Sequence, residues 1–298
     1  MTKLLVKVFG ERNTGTRALI QMLRASGEVQ LIGGSSSEVL GHGEWSSLQA
    51  GIKRHFTGDW RKIYGDALRD NSLHLDMPLM AWKHAAPDWH PIYAAKGVSP
   101  VFIVRDPYSW ALSMARRPYH MKAPRTGDLQ QFFARPWLTE RRDNLEPVLP
   151  SVLSLWSEKC GAYLRMAEMA TDVSPQFVKF EDLVVWPDET VAELVRRLGG
   201  SGEDIQGFDH STKDERSAEE LRQYYSAEEW VDYLSQDSVE VINQHIDWAV
   251  AGDLGYAKRQ PKDFPSEIQS EKQDDLKRSM LLDRAPPSDR KAGAATAA

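Results

Sequence analysis

Apolar and polar positions fall in blocks along this chain. Residues 4–10 (LLVKVFG) form a nearly unbroken apolar run, read as a short buried strand, that leads directly into a polar stretch at 10–17 (GERNTGTR). Ala18, Leu19, Met22 and Leu23 then recur at helical spacing. The pairing of an apolar run with a polar edge returns three times. Residues 78–82 (PLMAW) end at Lys83-His84, 100–104 (PVFIV) at Arg105-Asp106-Pro107, and 176–180 (QFVKF) at Glu181-Asp182-Leu183. Each predicts a strand with its polar cluster at the C-terminal end. Pro107 is placed to open a helix running through Ala115. Helical spacing fills 148–170 and 188–198, and it returns over 217–251, where Leu221, Tyr224, Trp230, Val239 and Ile242 form an apolar stripe read as core. Strands alternating with helices predict an α/β fold: a mainly parallel central sheet flanked by helices. In such sheets ligands bind outside the carboxyl ends of the strands, so the four polar clusters should meet at one edge.

Residues 33–37 (GGSSS) and 41–43 (GHG) read as flexible or turn-forming. After residue 257 the pattern changes. Phe264 is the only aromatic of 258–298, and the last 14 residues hold no large apolar side chain. The expectation is one domain over 1–257 and a polar tail over 258–298, its final part disordered.

Composition narrows the class. Hydrophobic residues make up 41% of the 298, which excludes a wholly disordered or fibrous chain. Lys and Arg number 37 against 43 Asp and Glu, a net charge of −6 that argues against a nucleic-acid partner. No apolar run approaches the ~18 residues of a membrane span, and the N-terminus turns polar too soon for a signal peptide. Cys160, the single cysteine, can form no internal disulfide. A cytoplasmic location is expected.

The stretch 10–17 carries the first candidate chemistry. A tight turn at Gly15, hydroxyls on Thr14 and Thr16, and amide N–H groups at a helix start make an anion site, with Arg12 and Arg17 as charged donors. Gly10 and Gly15 have the spacing of a nucleoside-triphosphate loop, but Thr16-Arg17 stand where Lys-Ser/Thr would be required. Arg105 sits at a strand end, with Ser113 about two turns into the next helix. A phosphate held by both would lie beside that helix.

GERNTGTR, WKH, VRDPYSWALSMA and KFEDLVVWP, in this order, resemble the motifs of the sulfotransferases that use 3′-phosphoadenosine 5′-phosphosulfate (PAPS). The ending INQHIDWAVAGDLGY is also similar to bacterial members, so the resemblance spans roughly residues 3–256. It implies a P-loop-NTPase-like sulfotransferase architecture with PAPS as co-substrate and no metal. It further implies a hydroxyl- or amine-bearing acceptor: a small molecule, a glycan or a lipid. Arg12, Asn13, Thr14, Gly15, Thr16 and Arg17 would hold the 5′-phosphosulfate, and Arg105 and Ser113 the 3′-phosphate. His84 would take the acceptor's proton, although Lys83-His84 is one residue shorter than the family's Lys-x-His element. Asn13 stands where many members have a lysine, so Arg12 or Lys83 must supply the cation on the leaving oxygen. Glu181 is expected to be architectural. The basic and aromatic segment 116–146 reads as a lid or a solvated loop. Two other readings remain: a P-loop-like nucleotide kinase, and a nucleotide-binding regulatory protein without catalysis.

Overall fold

The computed structural model describes residues 3–73, 77–203, 205, 207 and 216–282. The chain opens with β1 (Leu4–Gly10), α1 (Thr16–Ala25) and β2 (Val29–Leu31), then three helices, α2 (Ser36–Leu40), α3 (His42–His55) and α4 (Gly58–Ser72). After a 3₁₀ turn at Pro78–Met80 come α5 (Ile92–Lys96), β3 (Val98–Val104), α6 (Pro107–Arg116) and α7 (Leu129–Ala134). A small hairpin, β4 (Trp137–Leu138) and β5 (Val148–Leu149), precedes the long α8 (Val152–Met169) and β6 (Gln176–Lys179). The chain ends in helices: α9 (Phe180–Val185), α10 (Pro187–Arg197), α11 (Ala218–Ser226), α12 (Gln236–His245), α13 (Trp248–Asp253) and α14 (Ser270–Leu281).

The central sheet is parallel throughout, in the order β2-β1-β3-β6, with helices packed on both faces, as the alternating pattern predicts. Side-chain alternation along the strands separates two cores. Phe9, Phe102 and Val104 face α6 and α8, where Trp110, Trp156 and Tyr163 fill the space. Val8, Val101 and Ile103 face α1 and α10, against Leu19 and Val195. Gly10 is level with Ile103, and Val104 with Lys179. The segments that leave β1, β3 and β6 therefore emerge side by side at one edge.

Four expectations need correction. Residues 78–82 are not a strand: they form the 3₁₀ turn and the start of a bend. The cause lies in Lys7, a buried lysine on β1. Its ammonium donates to the carbonyls of Gly33, Leu79 (3.0 Å) and Ala81 (2.7 Å), and so takes the acceptors a ladder would need. Segment 116–146 is not a solvated loop, and Arg116 and Arg117 at its start line a cavity. Leu129, Phe132, Phe133 and Trp137 belong to the larger core. The long helical stretch 217–251 is broken into α11, a 3₁₀ turn at Glu229–Tyr233, α12 and α13. Finally, packing continues past residue 257: Phe264 and, on α14, Leu276 and Met280 are buried in the same core. The last residues of the expected tail, 283–298, lie outside the described residues. No helix among the described residues is long and apolar enough to cross a membrane.

Candidate functional site

The turn between β1 and α1 needs two left-handed residues, Asn13 (φ 65°) and Gly15 (φ 79°). Asparagine tolerates that region and glycine adopts it freely. Space is as tight as conformation. A Cβ on Gly15 would lie 2.8 Å from Phe180, and one on Gly10 would lie 2.3 Å from Ile103. Among the described residues no side chain caps α1, so its N-terminal amides are presented to the strand edge without a side-chain cap.

Beneath this turn lies a buried ion cluster. The Arg12 guanidinium bonds Glu11 at 2.8 Å and both Asp143 oxygens at 2.9 and 3.0 Å. Lys159 pairs with Glu11 and Asp143 and donates to the His84 carbonyl. The Trp82 ring packs against the charges, with Arg12 and Arg142 each 4.8 Å from its centroid. Burial works to raise the Asp143 carboxyl, but Arg12 and Lys159 hold it well below the usual carboxylate range. Two cations and two carboxylates balance within the cluster, which makes it tolerable in a dry interior. Arg12 is thus turned into the protein instead of out toward a ligand, a departure from its expected role.

The other first-loop residues divide. Asn13 directs its amide to the carbonyl of Arg117 (3.2 Å) and the Met114 sulfur (3.1 Å), tying the turn to α6. The Thr14 hydroxyl is bonded to the Glu11 carbonyl at 2.5 Å. Thr16 is buried against Gly10, while Arg17 is exposed. Lys83 exchanges backbone bonds with Gly34 and Gly10 at 2.9 Å each. Burial lowers its amine pKa, Arg17 and Arg24 add to that, and Glu38 opposes it.

His84 bonds the Gly10 carbonyl through Nδ1. A carbonyl can only accept, so Nδ1 carries the proton and Nε2 keeps its lone pair. Burial of the ring, then Lys83, Arg12 and Lys159, push its pKa well below the ordinary histidine range, against the pull of the Gly10 bond. His120, across Trp82, bonds Arg142 at 3.0 Å. Asp66, His120 and Glu140 offer metal-type ligand atoms within 4.8 Å of one another, but Arg142 already stands among them and supplies the positive charge.

On the other side of the turn, a cavity of about 560 Å³ is lined by Gly15, Arg105 and Ser113, together with Arg116, Phe180 and Tyr225. It brings together three of the residues singled out in the sequence. The Arg105 guanidinium lies 4.3 Å from the centre of the Phe180 ring and 5.3 Å from that of Tyr225. Its N–H groups donate to the Asn13 carbonyl (2.7 Å), to Ser109 and to the Tyr225 hydroxyl (2.9 Å). Asp106 caps α6 through the amides of Tyr108 and Ser109. Glu181 accepts from the Asp106 amide (3.0 Å) and the Tyr256 hydroxyl (3.0 Å), so it bridges the β3 edge to the chain beyond α13.

The sequence reading missed Glu11, Asp143 and Lys159, the members that lock the turn from below, as well as Phe180 and Tyr225 around Arg105. Only Glu11 carried a signal: a carboxylate inside a supposed anion loop requires a cation of its own.

No protein-family model matches the chain, and no curated protein sequence matches it. Among solved structures the chain is similar to a sulfotransferase domain from the curacin biosynthetic pathway, with 14% identity and a TM-score of 0.41 over 87% of this chain and 99% of the other. It is also similar to a sulfotransferase from Alicyclobacillus acidocaldarius, at 16% identity and a TM-score of 0.39, covering 84% of this chain and 99% of that one.

Proposed function

We propose that this chain is a sulfotransferase that moves the sulfuryl group of PAPS to a hydroxyl or amine. The observation that carries the reading is one cavity at the carboxyl edge of the sheet, where the uncapped start of α1 at Gly15 meets Arg105 and Ser113. Helix amides suit the 5′-phosphosulfate, and Arg105 with Ser113 suits a second phosphate on the ribose. A nucleoside triphosphate has no 3′-phosphate and would leave that pair unused. Tyr225 now holds one Arg105 N–H, and an entering phosphate oxygen competes for it.

In the proposed reaction the acceptor oxygen forms a bond to sulfur as the bond from sulfur to the 5′-phosphate oxygen breaks. The leaving electron pair stays on adenosine 3′,5′-bisphosphate, and the acceptor's proton passes to Nε2 of His84. The bond from Nδ1 to Gly10 fixes that tautomer. Since Arg12 is committed to Glu11 and Asp143, Lys83 is the proposed cation beside the leaving oxygen.

The withdrawal of Arg12 favours one second reading, a nucleotide-binding protein without turnover. Labelled PAPS incubated with a panel of glycans, lipids, phenols and amines separates the two. Transfer of label to one acceptor class supports the enzyme, whereas tight donor binding with no transfer to any of them supports the second reading.

A further inference from the structure

Helices α3 and α4 form a hairpin that contributes almost nothing to the core: α3 has no buried residue, and Ser72 is the only one in α4. Its turn, between His55 and Gly58, places the end of α3 and the start of α4 together at one tip. Large apolar side chains are exposed there. Trp60 is 64% exposed, Ile63 55% and Tyr64 44%, and their i, i+3, i+4 spacing puts them on one face of α4. Phe56 stacks on Tyr64 at 3.9 Å and extends the patch across the turn.

The charge around the patch is as uneven as its hydrophobicity. Lys53, Arg54, Arg61 and Lys62 are exposed at the tip, with Asp59 the only carboxylate between 53 and 65, in a chain whose net charge is −6. Helix dipoles account for part of this. Lys53 and Arg54 suit the C-terminal end of α3, and Arg61 donates to the Lys53 and Phe56 carbonyls there at 3.3 and 3.1 Å, but Lys62 sits toward the N-terminal end of α4, where cations are not favoured. The other two acidic residues of α4 lie toward its base, where Asp66 and Asp70 bond Arg142 at 3.0 and 2.7 Å.

We propose that this tip docks on an anionic lipid bilayer surface. Trp and Tyr with flanking Lys and Arg on one amphipathic end match the polar–apolar boundary of a membrane, and the cations match its negative headgroups. An acidic protein would satisfy the charge, but it gives no reason for three bulky apolar side chains spaced on one helix face. The proposal is independent of the sulfotransferase reading.

The test is flotation of the full chain with vesicles of phosphatidylcholine alone and of phosphatidylcholine with 30% phosphatidylserine, at roughly 0.1 M salt, where surface charges are still felt. Binding is expected to the anionic vesicles only. Arg54→Gln with Lys62→Gln should weaken it about thirtyfold, roughly fivefold for each charge. Trp60→Ser with Ile63→Ser should abolish it, and circular dichroism on both variants checks that the fold is kept. Absence of wild-type binding to the anionic vesicles overturns the proposal, as does binding that both variants retain. A dimer in solution that Trp60→Ser disrupts, without vesicle binding, would instead make the patch a contact between copies of this chain.

Discussion

Arg105 donates to the backbone carbonyl of Asn13 at 2.7 Å, so the residue just past β3 that is proposed to hold a phosphate also holds the loop that follows β1. Binding and loop order are therefore linked at Arg105, and Arg105→Ala should lose both. Its removal leaves the Asn13 carbonyl without this donor, a cost of ~1–3 kcal/mol in stability. Ser113→Ala separates the two effects, because Ser113 lines the cavity and, among the described residues, its hydroxyl makes no hydrogen bond, its contacts to the protein running through the backbone. Titration calorimetry should show roughly tenfold weaker binding of adenosine 3′,5′-bisphosphate to Ser113→Ala, ~1.4 kcal/mol, at unchanged Tm.

Two glycines give a matched comparison. Gly15 and Gly27 both have positive φ, 79° and 72°, but a Cβ on Gly27 meets nothing within 4 Å. Gly27→Ala should cost only the backbone strain, ~1–2 kcal/mol. Gly15→Ala adds the clash with Phe180 and moves the start of α1. Thermal unfolding should rank Gly15→Ala clearly below Gly27→Ala, and only Gly15→Ala should weaken binding of the bisphosphate.

On the proposed mechanism the pH dependence of turnover follows from His84. Its pKa lies well below the usual range, so the ring stays an acceptor across neutral pH. Turnover should be flat from pH ~6.5 upward and should fall only in more acidic solution. Replacing the ring by Ala should lower turnover about 10²–10⁴-fold while affinity for the bisphosphate holds. A rate that rises steeply between pH 6.5 and 8 would give the proton to another group.

Asp143 makes the cluster beneath the loop sensitive to acid. Its folded pKa is depressed by Arg12 and Lys159, so its contribution is complete above the unfolded value of ~3.9 and is lost as pH falls below it. Asp143→Asn should cost ~3–5 kcal/mol at neutral pH, since Arg12 and Lys159 keep one carboxylate between them. Denaturant midpoints measured from pH 6 down to pH 2.5 should fall less steeply in this variant than in the wild type.

Sequence reading succeeded where the signal is local. The apolar runs of β1, β3 and β6, the proline that opens α6, and the polar residues at each strand end are neighbours in the chain, and the sheet brings those ends together. It failed where the partner is distant. Lys7 turned 78–82 away from the sheet through carbonyls more than seventy positions on. Arg12 was captured by Asp143, and no periodicity or motif joins the two. Pocket membership at Arg105 and Ser113 was legible because both sit on one strand–helix unit.

The central claim is that the cavity between α1 and α6 holds a nucleotide with a 3′-phosphate. Calorimetric titration of the wild-type chain with adenosine 3′,5′-bisphosphate, AMP and ATP tests it directly. The account predicts that the bisphosphate binds at least about tenfold more tightly than AMP, ~1.4 kcal/mol, and that Ser113→Ala removes most of this difference. Equal affinity for the bisphosphate and AMP, or tighter binding of ATP, would contradict it.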